Sequence, residues 1–328
     1  MTADASSLST LPRRLATPRS IAIAVVVLLL AFMPQITEAI DQPFYTDVFM
    51  RVMILTIGAI SLNFIMGFGG MVSFGHAAYL GIGAYTVGIA GYYDVYNGWI
   101  QWPIGIAASA LFALVTGAIS LRTRGVYFIM ITLAFTQMIH FLFVSLEEYG
   151  ADDGLVIFAR SDFDGLVDLE NNIVLYYTVF FFLMLSLFVV HRLVHSRFGV
   201  AIRGAKSNDA RMHALGYSTF RYKLTGYVIA GVMCGVAGLL LGNFTGFVSP
   251  DMMHWTRSGD LIIMVVLGGM GTLWGPVFGA IAFILLEELL SDLTTYWQII
   301  FGPMLILVVL FARGGIDSFL GRRTEGAA

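Results

Sequence analysis

Residues 199–207 read GVAIRGAKS, one insertion away from the glycine-lysine-serine loop that cradles nucleotide phosphates. In that loop the lysine directly follows the second glycine, and a strand leads into it. Here Ala205 stands between Gly204 and Lys206, and no strand pattern precedes the stretch, so phosphate binding is not expected. The other reactive side chains do not assemble into a catalyst either. The chain has six histidines, scattered, with no H-E-x-x-H spacing and no G-x-S-x-G elbow. Its one cysteine, Cys234, lies in an apolar run and reads as a small buried hydrophobe. Glu287 and Glu288 form a carboxylate pair near one end of an apolar segment, close enough to an interface to be hydrated, so no proton relay is assigned to them. No metal or cofactor is expected on this chain, and no catalytic residue is named.

The polar groups that stand out lie beside glycine. Residues 67–85 read GFGGMVSFGHAAYLGIGAY, between stretches that otherwise pattern as oily helix. Glycine lets helices approach closely or lets the backbone leave helical geometry. Unwound backbone in a membrane must be buried in protein or line a wet cavity. Asn63, Ser73, Gly75 and His76 are therefore candidates for a solute path. The alternative is tight packing, with His76 satisfied by a neighbour's carbonyl. Gln137 and His140 read as interhelical hydrogen-bonding residues. A second glycine break, residues 268–279 GGMGTLWGPVFG, loosely matches residues 69–81 GGMVSFGHAAYLG and adds Gly269 and Thr272 to the candidates. Paired interruptions in two halves of a chain point to a transport path; general glycine enrichment in membrane helices gives the same pattern.

The elements that position these residues are membrane helices. The 328 residues are 58% hydrophobic and 12% charged, against about a quarter charged in soluble domains. Apolar runs of roughly 20 residues recur throughout. About ten embedded segments are expected, over residues 20–40, 46–67, 71–91, 103–121, 126–146, 173–192, 224–246, 259–271, 276–291 and 297–312. The eighth is short and breaks into glycine, so it is tilted, broken or re-entrant. The fold class is all-α and polytopic. Residues 1–19 and 314–328 are read as tails, and residues 20–313 as one transmembrane domain. The first apolar run resembles a signal peptide but is followed by PQITEAI, without a small-x-small site, so an uncleaved helix is expected.

Loop charges set the orientation. Arg13, Arg14 and Arg19 precede the first segment. Arg122 and Arg124 separate segments four and five. Arg192, Arg197, Arg203, Lys206, Arg211, Arg221 and Lys223 fill the stretch between segments six and seven, whose loop is read at about 195–223, against one acid, Asp209, and Arg313, Arg322 and Arg323 end the chain. All fall on one side, which the positive-inside rule makes cytoplasmic, with both termini there. The opposite loop, about residues 147–172, carries Glu147, Glu148, Asp152, Asp153, Asp162, Asp164, Asp168 and Glu170 against Arg160.

Within the basic stretch, Ser207, Asn208 and Asp209 are helix N-cap types, residues 210–215 make a turn or two of helix, and Gly216 is a stop. That describes a small helix on a basic frame formed by Arg203, Lys206, Arg221 and Lys223. One reading is an anchor whose arginines meet lipid phosphates. The other is a docking element for a cytoplasmic partner, using Arg203, Asp209, Ala210, Arg211, His213, Ala214 and Gly216.

Four stretches taken together resemble a known family. They are residues 62–85 LNFIMGFGGMVSFGHAAYLGIGAY, residues 196–240 SRFGVAIRGAKSNDARMHALGYSTFRYKLTGYVIAGVMCGVAGLL, Ser249–Pro250, and residues 265–280 VVLGGMGTLWGPVFGA. In this order they are similar to the LivM-type permeases of the branched-chain amino acid class of ABC importers, over roughly residues 48–316. Residues 149–155, YGADDGL, depart from a family TGG-x-x-G-L pattern, with Tyr and Ala replacing its first Thr and one Gly. The strict EAA motif of maltose-type permeases is absent. The resemblance implies a bacterial inner-membrane subunit forming half of a translocation path. Its implied partners are a second permease subunit, two cytoplasmic ATPases that carry ATP and Mg, a periplasmic solute-binding protein and membrane lipids, with no nucleic acid. Branched-chain amino acids are the first expected solutes; urea, short amides and aromatic acids are served by close relatives. An ion-coupled transporter working alone would need a carboxylate deep in a span, which the sequence does not suggest. A membrane enzyme would need a cluster of reactive side chains at one membrane face.

The orientation makes a direct prediction. In a Cys234→Ala background, Asp164→Cys should react with a membrane-impermeant thiol reagent added to intact cells, and Asn208→Cys should not. Reversed labelling would invert the topology.

Overall fold

The computed structural model describes residues 18–165, 167–294, 296–311 and 314–321. Arg13, Arg14, Arg313, Arg322 and Arg323 lie outside the described residues. The chain is mostly helical: α1 (Pro18–Ile40), α2 (Phe44–Asn63), α3 (His76–Tyr92), α4 (Gly98–Ser120), α5 (Val126–Val144), α6 (Asn172–Val194), α7 (Arg197–Ser207), α8 (Asp209–Ala214), α9 (Thr219–Thr245), α10 (Trp255–Gly268), α11 (Gly275–Leu293), α12 (Trp297–Phe311) and α13 (Gly315–Gly321). Two short strands, β1 (Leu155–Val156) and β2 (Phe247–Val248), pair antiparallel at one end, with Leu155 opposite Val248.

Six helices among the described residues are long and apolar enough to cross a membrane: α1, α2 with its continuation to Phe68, α4, α5, α6 and α9. Each of the other four expected segments also contains a helix. α3, α10 and α12 are shorter, and α11 carries Glu287, Glu288 and Asp292.

α2 is the axle of the bundle. Beyond Arg51 it carries no charge, and every residue from Thr56 to Asn63 is buried, as expected of a helix surrounded by others. It packs on α6, α9, α10 and α11. The outer helices instead expose large side chains, such as Leu28 and Phe32 on α1, Leu111 and Val115 on α4, and Phe141 on α5. In water this would be an aggregation surface; in a bilayer it is the lipid face.

α3 and α9 make the most intimate contact. A Cβ added at Gly83 would strike the Gly235 carbonyl oxygen, and one added at Gly238 would strike the Leu80 carbonyl oxygen. Between apolar helices in lipid there is no hydrophobic drive to associate, so close backbone packing supplies the attraction. Cys234 is buried in the same seam, as expected, and its thiol donates to the His76 carbonyl at 3.3 Å.

The structure departs from the expected segmentation in three places. The third helix starts at His76 rather than near 71, because residues 69–75 leave helical geometry. The stretch at 195–223 is not a loop with one small helix: α7 precedes α8. Ser196 caps α7 through Gly199 N–H, and Ala201, Ile202 and Ala205 bury its inner face. That helix occupies the near-miss phosphate loop. Finally, residues 315–321 form α13, which packs on α1, α10 and α11. Arg19 holds it by two hydrogen bonds to the buried Asp317 carboxylate, at 2.9 and 2.8 Å.

Gly238→Leu should force α3 and α9 apart and destabilise the protein by about 1–3 kcal/mol or more. The check is the thermal unfolding midpoint of the purified protein in detergent, which should fall well below that of a lipid-facing control such as Leu111→Ala.

Candidate functional site

Asn63, the last residue of α2, joins the two glycine breaks. Its amide Nδ2 donates to the Thr272 carbonyl at 2.8 Å, and its Oδ1 accepts the Gly271 N–H at 2.9 Å. The next five residues, Phe64–Phe68, wind as a π-helix, a rare geometry that leaves local carbonyls short of partners. One of these, the Gly67 carbonyl, accepts from Lys206 Nζ of α7 at 2.6 Å. Gly67 and Gly271 meet so closely that a Cβ on Gly67 would overlap Asn63 Oδ1 and the Gly271 backbone. Thr272 turns its hydroxyl to the Gly269 carbonyl at 2.9 Å and accepts the Gly275 N–H at 3.1 Å, which opens α11. Gly269, at φ 120°, faces α13. Asn63, Gly269 and Thr272 are thus brought together, with Gly67 and Gly271 as members that the sequence reading did not single out and Lys206 as one that it placed in the basic frame instead.

Ser73, Gly75 and His76 form a second cluster at the other end of the extended stretch. Ser73 Oγ accepts the Gly75 N–H at 3.0 Å. The Phe74 N–H donates to Thr132 Oγ1 at 3.2 Å, and the Phe74 carbonyl accepts from Thr136 at 2.9 Å and from Ser258 at 2.7 Å. Ser258 Oγ also accepts the Ala77 N–H in the first turn of α3 at 2.9 Å. Hydroxyls of α5 and α10 therefore replace the helical partners that the break removes. The sequence signal for this was the i, i+4 pair Thr132 and Thr136 within a largely apolar helix. His76 is completely buried. Its ring stands edge-on to Tyr79 at 5.7 Å, and neither ring nitrogen has a hydrogen-bond partner among the described residues. The neighbour's carbonyl expected for it is not there. His140, by contrast, does bond across helices, its Nδ1 lying 3.0 Å from the Pro250 carbonyl oxygen.

The small helix on the basic side is α8. Asn208 is its N-cap, accepting the Arg211 N–H. Its far end closes with the paired bonds Tyr217 N–H to Met212 O and Gly216 N–H to His213 O, with Gly216 at φ +87°. This is a complete Schellman stop, which only glycine enters without strain. The clamp differs from the expected four-cation frame. Asp209 is its hub, bonded to Arg124 Nη2 at 2.6 Å and Lys223 Nζ at 3.0 Å. Arg203 instead folds back to the Gly199 and Val194 carbonyls, and Lys206 reaches the glycine seam. His213 is held by Thr219 at 2.9 Å. Ala210, Arg211, Ala214 and Gly216 are exposed, as are the large side chains of Leu215, Tyr217 and Phe220.

Burial works to raise the Asp209 carboxyl, but hydrogen bonds from Lys223 and Thr219 and the charges of Lys223 and Arg124 outweigh it and hold the group below its ordinary value. A depressed carboxylate contributes its stabilisation fully above the unfolded value and loses it as pH falls through the folded one. The clamp is therefore closed at neutral pH. Between it and the first glycine break lies a cavity of about 520 Å³, bordered by Gly70, Val72, Arg122, Lys206, Asp209 and Lys223.

Glu287 is not bathed in solvent as its place in the sequence suggested. Its side chain is 19% exposed and faces Arg51 of α2 at 3.2 Å. Asp260 of α10 lies in the same part of the bundle, 3.7 Å from Arg257. Carboxylates are thus present in the body of the protein, each opposed by a guanidinium.

An embedded helical bundle with stitched glycine breaks and a capped helix displayed at one end defines a multi-pass membrane permease. Residues 44–309 match the family described as "Branched-chain amino acid transport system / permease component", and the chain belongs to that family. It is 28% identical over 293 residues to the high-affinity branched-chain amino acid transport permease LivM of Salmonella typhimurium, covering 82% of this chain and 69% of that protein. It is 27% identical to LivH of Escherichia coli over 285 residues, covering 80% and 90%. A shorter match, 31% over 120 residues, links 34% of the chain to 30% of the xylose permease XylH of Escherichia coli. No solved structure matches at a significant level.

Asn63→Leu keeps the bulk of the side chain and removes both polar contacts. It should leave the half-buried Gly271 N–H and Thr272 carbonyl without these partners, at up to about 1–3 kcal/mol for each group. The expected result is a lowered unfolding midpoint together with loss of uptake in a strain lacking the native permease. A midpoint equal to wild type would remove Asn63 from this role.

Proposed function

We propose that this chain is one membrane half of an ATP-driven importer of branched-chain or related amino acids. It pairs with a second permease subunit in a bacterial inner membrane. It has ten embedded segments with both termini in the cytoplasm, and the end bearing β1 and β2 receives a periplasmic solute-binding protein. Two ATPase subunits, holding ATP and Mg, dock at the opposite end, and this chain carries no catalysis. The names of the LivM and LivH relatives support the solute class. The partial match to a xylose permease, with the departure at residues 149–155, favours keeping urea, short amides and aromatic carboxylates as a second reading of the solute. An ion-coupled transporter working alone is disfavoured by family membership.

The observation that carries the coupling half of the proposal is α8. It is short, capped at both ends, clamped through Asp209, and presents small apolar residues outward. Ala210 and Ala214 leave room for a groove on a partner, and Leu215 supplies apolar contact. A rigid helix transmits displacement where a solvated loop absorbs it.

Ala214→Glu should place a charge in that groove, where desolvation opposes docking. The ATPase is expected to be lost from the purified complex, with loss of substrate-stimulated ATP hydrolysis in membranes. Retention of both at wild-type levels would return α8 and its basic surroundings to the role of a lipid-facing anchor.

A further inference from the structure

A second cavity, of about 180 Å³, lies towards the β1–β2 end, between α2, α3, α9, α10 and α11. Four charged side chains line it: Arg51, Arg257, Asp260 and Glu287. The rest of its wall is chiefly apolar, including Leu80, Leu241, Phe244 and Phe283. Its volume is that of about six liquid waters at ~30 Å³ each, room for one small solute.

Two cations and two anions make the lining neutral while presenting both signs. Such a lining gives no advantage to a net anion or a net cation, and it offers separate partners to a solute that carries both charges. The ion pairs across it are loose. Arg51 meets Glu287 at 3.2 and 3.4 Å through one nitrogen. Arg257 meets Asp260 at 3.7 Å and Asp251 at 3.4 Å. The same protein makes a tight two-point pair where one is structural, Arg19 to Asp317 at 2.8 and 2.9 Å. A guanidinium has five donors arranged as a fork, so both arginines keep capacity for a carboxylate, and Glu287 and Asp260 keep acceptor capacity for an ammonium.

We propose that this cavity is a binding station for the zwitterionic head of an α-amino acid. Arg51 and Arg257 take the carboxylate, Glu287 and Asp260 take the ammonium, and the Leu241–Phe244–Phe283 wall takes a branched aliphatic side chain. The inference rests on the amino-acid reading of the solute, and it adds a place and a chemistry that the family relationship does not supply.

The test uses the whole importer, this chain with its partner permease, ATPases and binding protein, in liposomes. In a Cys234→Ala background, Leu55→Cys puts a thiol on the cavity wall, and its labelling by a small methanethiosulfonate reagent is timed. Millimolar L-leucine should slow labelling. Leucinamide and 4-methylpentanoate, which each lack one of the two charged groups, should protect about tenfold more weakly or worse. Glu287→Gln should abolish protection while the complex still co-purifies. Thr245→Cys, on another helix, repeats the measurement if Leu55→Cys does not assemble. If the complex imports leucine but leucine gives no protection, the site is wrong and the solute reading stands. Equal protection by all three compounds also overturns it. A thiol blocked with or without leucine would mean that partner side chains fill the cavity, which likewise overturns the site. If the wild-type complex imports no branched-chain amino acid, the solute reading falls and takes the site with it.

Discussion

Backbone that leaves helical geometry inside a membrane must find new partners within the protein. This constraint governs the interior here. The chain breaks at residues 69–75 and again at residues 269–274, and Asn63, Thr272, Ser73, Thr132, Thr136 and Ser258 are drawn into closing the two gaps. Asn63 is the residue that does so from both sides, with an acceptor for one backbone N–H and a donor for one backbone carbonyl. A carboxamide is the side chain that offers both at a single point. Aspartate would bring a buried charge, and leucine would bring nothing to bond.

From this junction a continuous set of contacts reaches the exposed helix α8. Asn63 touches the break before α11. Gly67, a turn away, is bonded to Lys206 at the end of α7. Asn208 then caps α8, and Asp209 fastens α8 to Arg124 before α5 and to Lys223 in α9. Arg19 and Asp317 brace the second break from α1 and α13. The Gly67 carbonyl, at the π-helical end of α2, is therefore one group through which Lys206 attaches α7 to the bundle.

Much of this was legible in the sequence. Each of the ten expected segments contains a helix, with ends displaced by up to about five residues, and six of these helices are long and apolar enough to cross a membrane; the cap residues Asn208 and Gly216 located α8. The glycine breaks were visible as candidates. Their contact with each other was not, because a hydrogen bond between residues about two hundred positions apart leaves no local pattern. α7 was missed because its basic residues read as positive-inside charge, although Phe198, Ala201, Ile202 and Ala205 carry helical spacing beneath them. Ser258 was missed for a related reason: a lone serine near a helix start reads as a surface residue, whereas here one hydroxyl serves both Phe74 and Ala77. Glu287 was read as hydrated because its distance from a helix end is visible in sequence and its arginine partner, on α2, is not.

The two ends of the bundle are linked through shared helices. Arg51 and Asn63 both belong to α2, about 18 Å apart at 1.5 Å per residue. Glu287 and Gly275 are separated equally along α11, and Asp260 lies in α10 ahead of the glycine break that ends it. The three helices that meet at the glycine junction on the basic side therefore carry all four charges of the cavity near the β strands. Close-packed helices tilt as units more readily than they bend. A small rotation at the junction changes the Arg51–Glu287 distance, which already exceeds that of a tight pair. The looser ion pairs and the irregular but fully stitched junction thus stand at opposite ends of the same three helices, α2, α10 and α11.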